Sequence, residues 1–186
     1  GYLGHRWELY AMWTLVAVFF FEYFGMRGWD AAASASSSGV IAFMAIAAGS
    51  LGSVLAGKWA DQLGRERVTI WSLAVSGTCS LVIGWLLHAP LLLVAPLAVI
   101  WGFAIVADSA QFSALVTEVA PRHAVGTALT LQTSLGFLLT AFTIWMTIEL
   151  HEMFDWRLAF GVLALGPLFG IFSMIRLRRL RSIPVA

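Results

Sequence analysis

The fold is decided by residues 91–118, which read LLLVAPLAVIWGFAIVADSAQFSALVTE. Only two residues in this stretch are charged, Asp108 and Glu118. A helix needs about 20 mainly apolar residues to cross the roughly 30 Å hydrocarbon core of a bilayer. The stretch is long enough and apolar enough, so it predicts a membrane-spanning helix.

Five further stretches have the same character, at residues 3–21, 40–57, 68–87, 127–148 and 158–175. They lack the strict alternation of a membrane β-strand and are about twice as long as one. The segments between them are short, Gly/Ser-rich at residues 25–39 and charged at residues 58–67. The sequence therefore predicts an all-α integral membrane protein, with one domain of six transmembrane helices over residues 1–186.

The composition of the whole chain agrees with a lipid environment. Hydrophobic residues make up 60% of the 186 residues and charged residues 11%, whereas a soluble domain carries about 25% charged residues. This balance excludes a soluble enzyme, a disordered chain and a nucleic-acid-binding protein, which needs a basic surface. Cys79 is the only cysteine, so the chain has neither an internal disulfide nor a cysteine-based metal site. We expect no metal and no cofactor.

The distribution of Lys and Arg predicts the orientation in the membrane. If both ends lie on one side, that side carries nine basic residues and the opposite side carries Arg27 and Arg157. The nine are Arg6, Lys58, Arg65, Arg67, Arg122, Arg176, Arg178, Arg179 and Arg181. Basic residues accumulate on the cytoplasmic side, so we expect a multi-pass protein of the inner (plasma) membrane with both ends in the cytoplasm.

Two further patterns concern helix packing. Small residues recur every four positions in the second stretch, at Ala45, Gly49, Ser53 and Gly57, and again at Gly166 and Gly170 beside Pro167. Such a face allows two backbones to approach closely in lipid, and Pro167 predicts a local kink. Aromatic residues crowd one end of the first stretch and flank the last outer loop, which predicts an interfacial belt. The belt residues are Phe19, Phe20, Phe21, Tyr23, Phe24, Trp29, Trp145, Phe154 and Trp156.

The charged segment between the second and third helices reads GKWADQLGRER at residues 57–67. Gly57 and Gly64 permit a tight turn at the membrane face. Asp61 can accept hydrogen bonds from the amino end of another helix, whose dipole favours an anion. Arg65 or Arg67 can pair with Glu118, and such pairs would form either a gating latch or a static surface network.

This segment resembles the loop signature of the major facilitator superfamily. The matching positions are Gly57, Asp61, Gly64, Arg65 and Arg67, whereas Gln62 and Glu66 depart from the pattern. The stretches EVAP at 118–121 and WRLAF at 156–160 are similar to other parts of the same family. In that family the signature follows the second and the eighth of twelve helices.

The resemblance implies that the chain is a fragment of a twelve-helix protein. It suits the carboxyl-terminal half, helices seven to twelve, and the missing amino-terminal half would be its partner. It also implies a secondary transporter that works by alternating access, with a gating role for the loop, and no enzymatic activity.

Polar residues inside the predicted helices are candidates for the pathway of substrate or protons. Asp108 and Gln111 share a helix face, and Glu8 lies in the first helix. Ionised side chains are costly in lipid and should face the bundle interior or water. Carboxyl groups removed from water can exchange a proton near neutral pH. The alternative is that these acids only tie helices together, and His5 and Arg6 are expected to be interfacial anchors.

Hydroxyl residues of the fifth helix form a stripe that includes Thr133 and Thr140. The stripe either lines a polar cavity or hydrogen-bonds within its own helix. Taken together, the patterns predict a carrier that moves a small solute, into or out of the cell, coupled to protons or another ion. Two alternatives remain, a non-transporting membrane sensor or assembly subunit and an intramembrane hydrolase. The hydrolase is disfavoured, because the serines at 36–38 lack a nucleophile-elbow motif.

Overall fold

The computed structural model describes residues 1–181, and this part of the chain is helical throughout, with short connections and no strand. The helices are α1 (Tyr2–Gly25), α2 (Ala31–Leu63), α3 (Arg65–Ile83), α4 (Leu91–Ala107), α5 (Ser109–Val119), α6 (Val125–Met153), α7 (Trp156–Leu163) and α8 (Leu165–Arg181). Single-turn 3-10 helices at Gly84–Leu86 and Arg122–Ala124 complete the order. Because α4 with α5 and α7 with α8 are consecutive pieces of one rod each, the prediction of six helices is confirmed.

Five of the six rods are long and apolar enough to cross a membrane, and α1 is the exception. The first turns of α1 carry His5, Arg6 and Glu8. The helix is nevertheless well enclosed, because it packs against α2, α6 and α8 at once. A central helix is shielded from lipid by its neighbours, so it tolerates polar side chains that a lipid-facing helix would not.

The contact between α2 and α4 is built from small residues. Ala45 and Gly49 of the predicted stripe lie in it, whereas Gly57 faces open space. Ala45 is buried, and a Cβ atom added to Gly102 would collide with the backbone oxygen of Ala45. A Cβ atom on Gly52 would likewise collide with the backbone oxygen of Phe103. The same device joins α1 to α8, where Gly4 meets the backbone oxygen of Gly166. Bare backbone at these positions allows the close approach of helices.

The boundaries of α2 differ from the predicted ones. The helix begins after Asp30, whose carboxylate accepts hydrogen bonds from the amides of Ala32 and Ala33 at 2.9 Å, so the serine-rich segment is helical. At the other end the helix runs to Leu63, and only Gly64, at φ +91°, separates it from α3. The prediction of a turn at Gly57 was wrong, because Gly57 lies inside the helix beside open space.

Part of the predicted aromatic belt lies in the core, which corrects the prediction for Phe19, Phe20, Tyr23, Phe24 and Trp156. The other belt residues are exposed, namely Phe21, Trp29, Trp145 and Phe154. Phe19, Phe20 and Tyr23 are 0–1% exposed. The ring of Phe19 packs edge-on against Trp156 at a centroid distance of 5.4 Å and contacts Phe160 at 5.6 Å. Residues of α1 and α7 thus pack against each other inside the bundle, instead of lying in the headgroup region.

Two rods are interrupted, one near Pro167 and the other at Asp108. The rod of α7 and α8 breaks at Ala164, three residues before Pro167. A proline has no amide hydrogen to donate to the carbonyl four residues earlier, so the kink predicted at Pro167 is confirmed. The rod of α4 and α5 breaks at Asp108, which the sequence had placed within a continuous helix.

Candidate functional site

The Glu8 carboxylate is fully buried where α1, α3 and α4 meet. Its Oε1 accepts a hydrogen bond from Trp101 Nε1 at 2.7 Å, and its Oε2 accepts one from Ser76 Oγ at 3.0 Å. Each of the two donors comes from a different helix. A charged or neutral acid is held here in one orientation, with both oxygens engaged and no access to water.

Asp108 lies at the break between α4 and α5 and faces His5 of α1. His5 Nδ1 lies 2.8 Å from Asp108 Oδ1, and the two side chains are 1% and 2% exposed. The distance between the two atoms is that of an ion pair, but the angle at which they meet is not that of a hydrogen bond. Within residues 1–181, His5 Nε2 also has no hydrogen-bond partner. The Phe112 ring flanks the imidazole at a centroid distance of 5.6 Å.

This arrangement corrects the expectation that His5 is an interfacial anchor. His5 contacts Asp108, which lies inside the rod of α4 and α5, so the imidazole is internal. We call Glu8, His5 and Asp108 the buried acid cluster. It contains two carboxyl groups and one imidazole, all shielded from solvent.

Residues 58–67 lie at the end of the bundle where α2 meets α3, and we call this the basic end. Arg65 connects the basic end to the neighbourhood of the buried acid cluster. Its Nε donates to Glu118 Oε1 at 2.7 Å, and its Nη1 donates to Gln111 Oε1 at 2.9 Å. Gln111 is 1% exposed, and its backbone N–H donates to the Asp108 backbone carbonyl at 3.0 Å. We call Arg65, Gln111 and Glu118 the Arg65 bridge, and the ion pair expected from the sequence is part of it.

The remaining residues of the predicted gating loop lie on the surface of the basic end. Asp61 and Arg67 are exposed, and Gly64 forms the turn. Within residues 1–181, Asp61 has neither a hydrogen bond to its side chain nor an ion pair. Gly57 lies one turn before Asp61 on α2 and takes no part in the turn.

The hydroxyl stripe of α6 lies largely at the contact with α1. Thr140 is 6% exposed, and its hydroxyl donates to the Arg6 carbonyl at 3.4 Å. Thr143 donates to the Leu139 carbonyl of its own helix at 2.8 Å. Thr133, one turn closer to the start of α6 than Gly136, is half-buried. These positions fit helix packing better than the lining of a cavity.

Sequence reasoning missed three partners of the acids, His5, Ser76 and Trp101. Trp101 could have been noticed, because it precedes Asp108 by two helical turns on the same rod and indoles need an acceptor when buried. Among residues 1–181, no three His, Cys, Asp or Glu side chains lie close enough together to hold a metal ion.

The comparison with protein families decides the identity. The model of the Major Facilitator Superfamily matches residues 1–185. The chain belongs to the major facilitator superfamily. It is therefore a multi-pass membrane protein of a transporter family, whose members are transporters and not enzymes. Neither the curated proteins nor the solved structures compared with the chain gave a match.

Membership in the major facilitator superfamily gives the polar clusters a context. A transporter must change conformation, and it must hold its buried charges while it does so. The buried acid cluster and the Arg65 bridge join α1, α3, α4 and α5 through polar contacts. Polar contacts in a low-dielectric interior respond strongly to a change of charge, so the packing of these four helices is sensitive to the charge that the network carries.

Proposed function

We propose that the chain is one half of a proton-coupled secondary transporter that moves a small solute by alternating access. The observation that carries the proposal is the buried Glu8 carboxylate, held by Ser76 and Trp101 beside the His5–Asp108 pair. An internal carboxylate without a permanent cation is costly in lipid. Binding and release of a proton at this cluster change its charge, and therefore the balance between two conformations.

The exposed face of α1 supports the proposal of a half transporter. Arg6, Tyr10 and Thr14 lie on the side of α1 that its neighbours leave partly open. A face with a guanidinium and two hydroxyl groups is unsuited to lipid tails. A second half, here the amino-terminal one, would cover this face and enclose a solute path at the interface.

The Arg65 bridge is the proposed link between the proton site and the gate. Arg65 holds Glu118 at the surface and Gln111 one turn after Asp108. A shift of the α5 segment at the Asp108 break would stretch both contacts. The exposed Asp61 has room to bind the amino end of a helix in the other half, so the basic end would close in one state and open in the other.

The orientation remains part of the proposal. Arg6 lies beside the internal His5 and should not be counted as a loop residue, which leaves eight basic residues on one side against two on the other. This bias still favours a cytoplasmic location of both ends and of the basic end. The inner (plasma) membrane is the corresponding location.

Proton flux in proteoliposomes tests the proposed function. The full-length protein is reconstituted with a trapped pH dye, and amino acids, sugars, organic acids and organic cations are added in turn. We expect one class to drive proton movement, and Glu8→Gln to abolish it. The exposed Glu152→Gln is the matched control and should behave like the wild type. A protein that moves no protons with any class would contradict the proposal and favour a sensor or assembly subunit. A Glu8→Gln variant with full flux would contradict the assignment of the proton site to Glu8.

A further inference from the structure

Arg6 lies far from both ends of the bundle, on the partly open side of α1. It follows His5, whose imidazole contacts Asp108, and Asp108 precedes the last residue of α5, Val119, by eleven positions. At 1.5 Å per residue this places Asp108 about 16 Å from that end of the rod. The other end of the rod, Leu91, is about 26 Å away on the same basis. The Arg6 guanidinium therefore lies within the membrane-spanning part of the protein.

The surroundings of Arg6 are aromatic. Its Nε donates to the Tyr2 hydroxyl at 2.6 Å. Its guanidinium carbon lies 5.0 Å from the ring centre of Tyr2, 5.1 Å from that of Tyr10 and 4.9 Å from that of Phe137. Its Nη1 is buried and has no acceptor. Cation–π contacts offset part of the charge, but among residues 1–181 no carboxylate lies within ion-pair distance of it.

The aromatic residues beside Arg6 continue onto the open face of α1. Tyr10 contacts Trp13 at a ring-centre distance of 5.3 Å and Phe137 at 5.6 Å. Phe137 is 50% exposed, so its ring has room to move. Trp13 Nε1 is a second buried donor without an acceptor. The face thus carries an arginine without an ion-pair partner among residues 1–181 and a wall of aromatic rings, and two buried N–H groups behind it, Arg6 Nη1 and Trp13 Nε1, have no acceptor in this part of the chain.

We propose that Arg6 recognises the carboxylate of an organic anion whose apolar body packs on Tyr10, Trp13 and Phe137. A guanidinium binds a carboxylate through two parallel hydrogen bonds, and an arginine at membrane depth needs a negative partner. The inference rests on the proposed transporter function and names its substrate class, a monocarboxylate with an apolar or aromatic body. It is distinct from the buried acid cluster, which would handle the proton.

Equilibrium binding tests this assignment without any ion gradient. The full-length protein in lipid nanodiscs is titrated with benzoate and with its uncharged analogue benzamide, and tryptophan fluorescence is recorded. We expect benzoate to bind about tenfold or more tightly than benzamide, as one charge-assisted contact provides. Arg6→Gln should abolish the difference, and Phe137→Ala should weaken both ligands. Arg6→Lys keeps the charge but loses the paired geometry, and it should weaken benzoate only.

The matched control is Arg27→Gln. Arg27 also stacks on a tyrosine ring, with its guanidinium carbon 3.4 Å from the centre of Tyr23, but carbonyls of Tyr23, Leu87 and Ala89 accept its hydrogen bonds. Its replacement should leave benzoate binding unchanged. Equal affinities for benzoate and benzamide in the wild type would overturn the proposal, and would indicate that a carboxylate elsewhere in the protein neutralises Arg6. Benzoate preference retained in both Arg6 variants would overturn it too. The binding measurement does not depend on proton flux, so its failure would leave the proposal of proton coupling untouched, and the reverse also holds.

Discussion

The Asp108 carboxylate and the His5 imidazole lie 2.8 Å apart with almost no exposure to solvent. An uncompensated charge of either kind would be costly at this depth. The pair is neutral when the shared proton lies on Asp108 and ionic when it lies on His5. Neither Glu8, on the same helix as His5, nor Phe112, beside the His5 ring, supplies a cation to the pair.

Asp108→Asn separates a role in proton coupling from a role as a structural tie. Asparagine keeps the shape and removes the charge. We expect the variant to lose proton-driven uphill transport of its solute while it keeps solute exchange and a melting temperature close to that of the wild type. Proteoliposome uptake with and without a pH gradient measures the first two, and a thermal shift assay measures the third. Full uphill uptake by a stable Asn variant would show the assignment to be wrong.

Arg65 and Glu118 are partly exposed, at 31% and 40% of their side chains, whereas their neighbour Gln111 is buried. An exposed ion pair contributes about 0–1 kcal/mol, but a buried amide left without its donor costs about 1–3 kcal/mol. We therefore expect Arg65→Ala to lower the free energy of unfolding more than Glu118→Ala does. Denaturation in detergent measures both.

The double variant Arg65→Ala with Gln111→Leu provides the decisive comparison. It removes the donor together with the buried acceptor, so it should recover part of the stability that Arg65→Ala loses. A double variant that is less stable than Arg65→Ala alone would show that Gln111 does not depend on Arg65. The bridge would then be a surface contact with no link to the interior.

At the scale of helices, the close contact of α2 with α4 depends on glycine. A Cβ atom on Gly102 would collide with the Ala45 backbone oxygen, and backbone cannot move aside as a flexible side chain can. Gly102→Ala should therefore destabilise the protein by about 1–3 kcal/mol through overpacking. Gly57→Ala is the matched control, because Gly57 is helical and has open space around it. It should be neutral or slightly stabilising. Equal melting temperatures for the two variants would contradict this account.

The apolar stretches predicted the number and order of the helices, because membrane thickness limits how short such a stretch can be. They did not predict where the helices end, since α2 continues through charged residues to Leu63. Charged side chains beyond the membrane do not interrupt a helix. The break at Asp108 was also missed, because no proline or glycine marks it.

The candidate site was predictable only in part. An acid within an apolar stretch indicates by its cost in lipid that it has a partner, and Glu8 and Asp108 were found in this way. Their partners were not found, because Trp101 is 93 residues from Glu8 and the fold alone brings them together. The aromatic cluster of α1 was misassigned for the same reason, since a ring at a helix end can face lipid headgroups or Trp156.

At the scale of the whole molecule, orientation in the membrane is the property that connects the basic end to the gating proposal. The 33 residues of α2 span about 50 Å at 1.5 Å per residue, which exceeds the roughly 30 Å hydrocarbon core. The helix therefore extends beyond the core, and its two ends are where this excess length lies. Ala31 and Gln62 are exposed at these two ends, so they are suitable positions for labels.

Single cysteines at Ala31 and at Gln62 test the orientation in intact cells. Both are introduced into a Cys79→Ala background, because the buried Cys79 is the native thiol. The excess of Lys and Arg near Gln62 predicts that this position is cytoplasmic. A membrane-impermeant maleimide should label the Ala31 cysteine directly, and the Gln62 cysteine only after permeabilisation. Labelling of Gln62 in intact cells would invert the orientation and place the Arg65 bridge at the outer surface. It could then no longer close a cytoplasmic gate, whatever its contribution to stability.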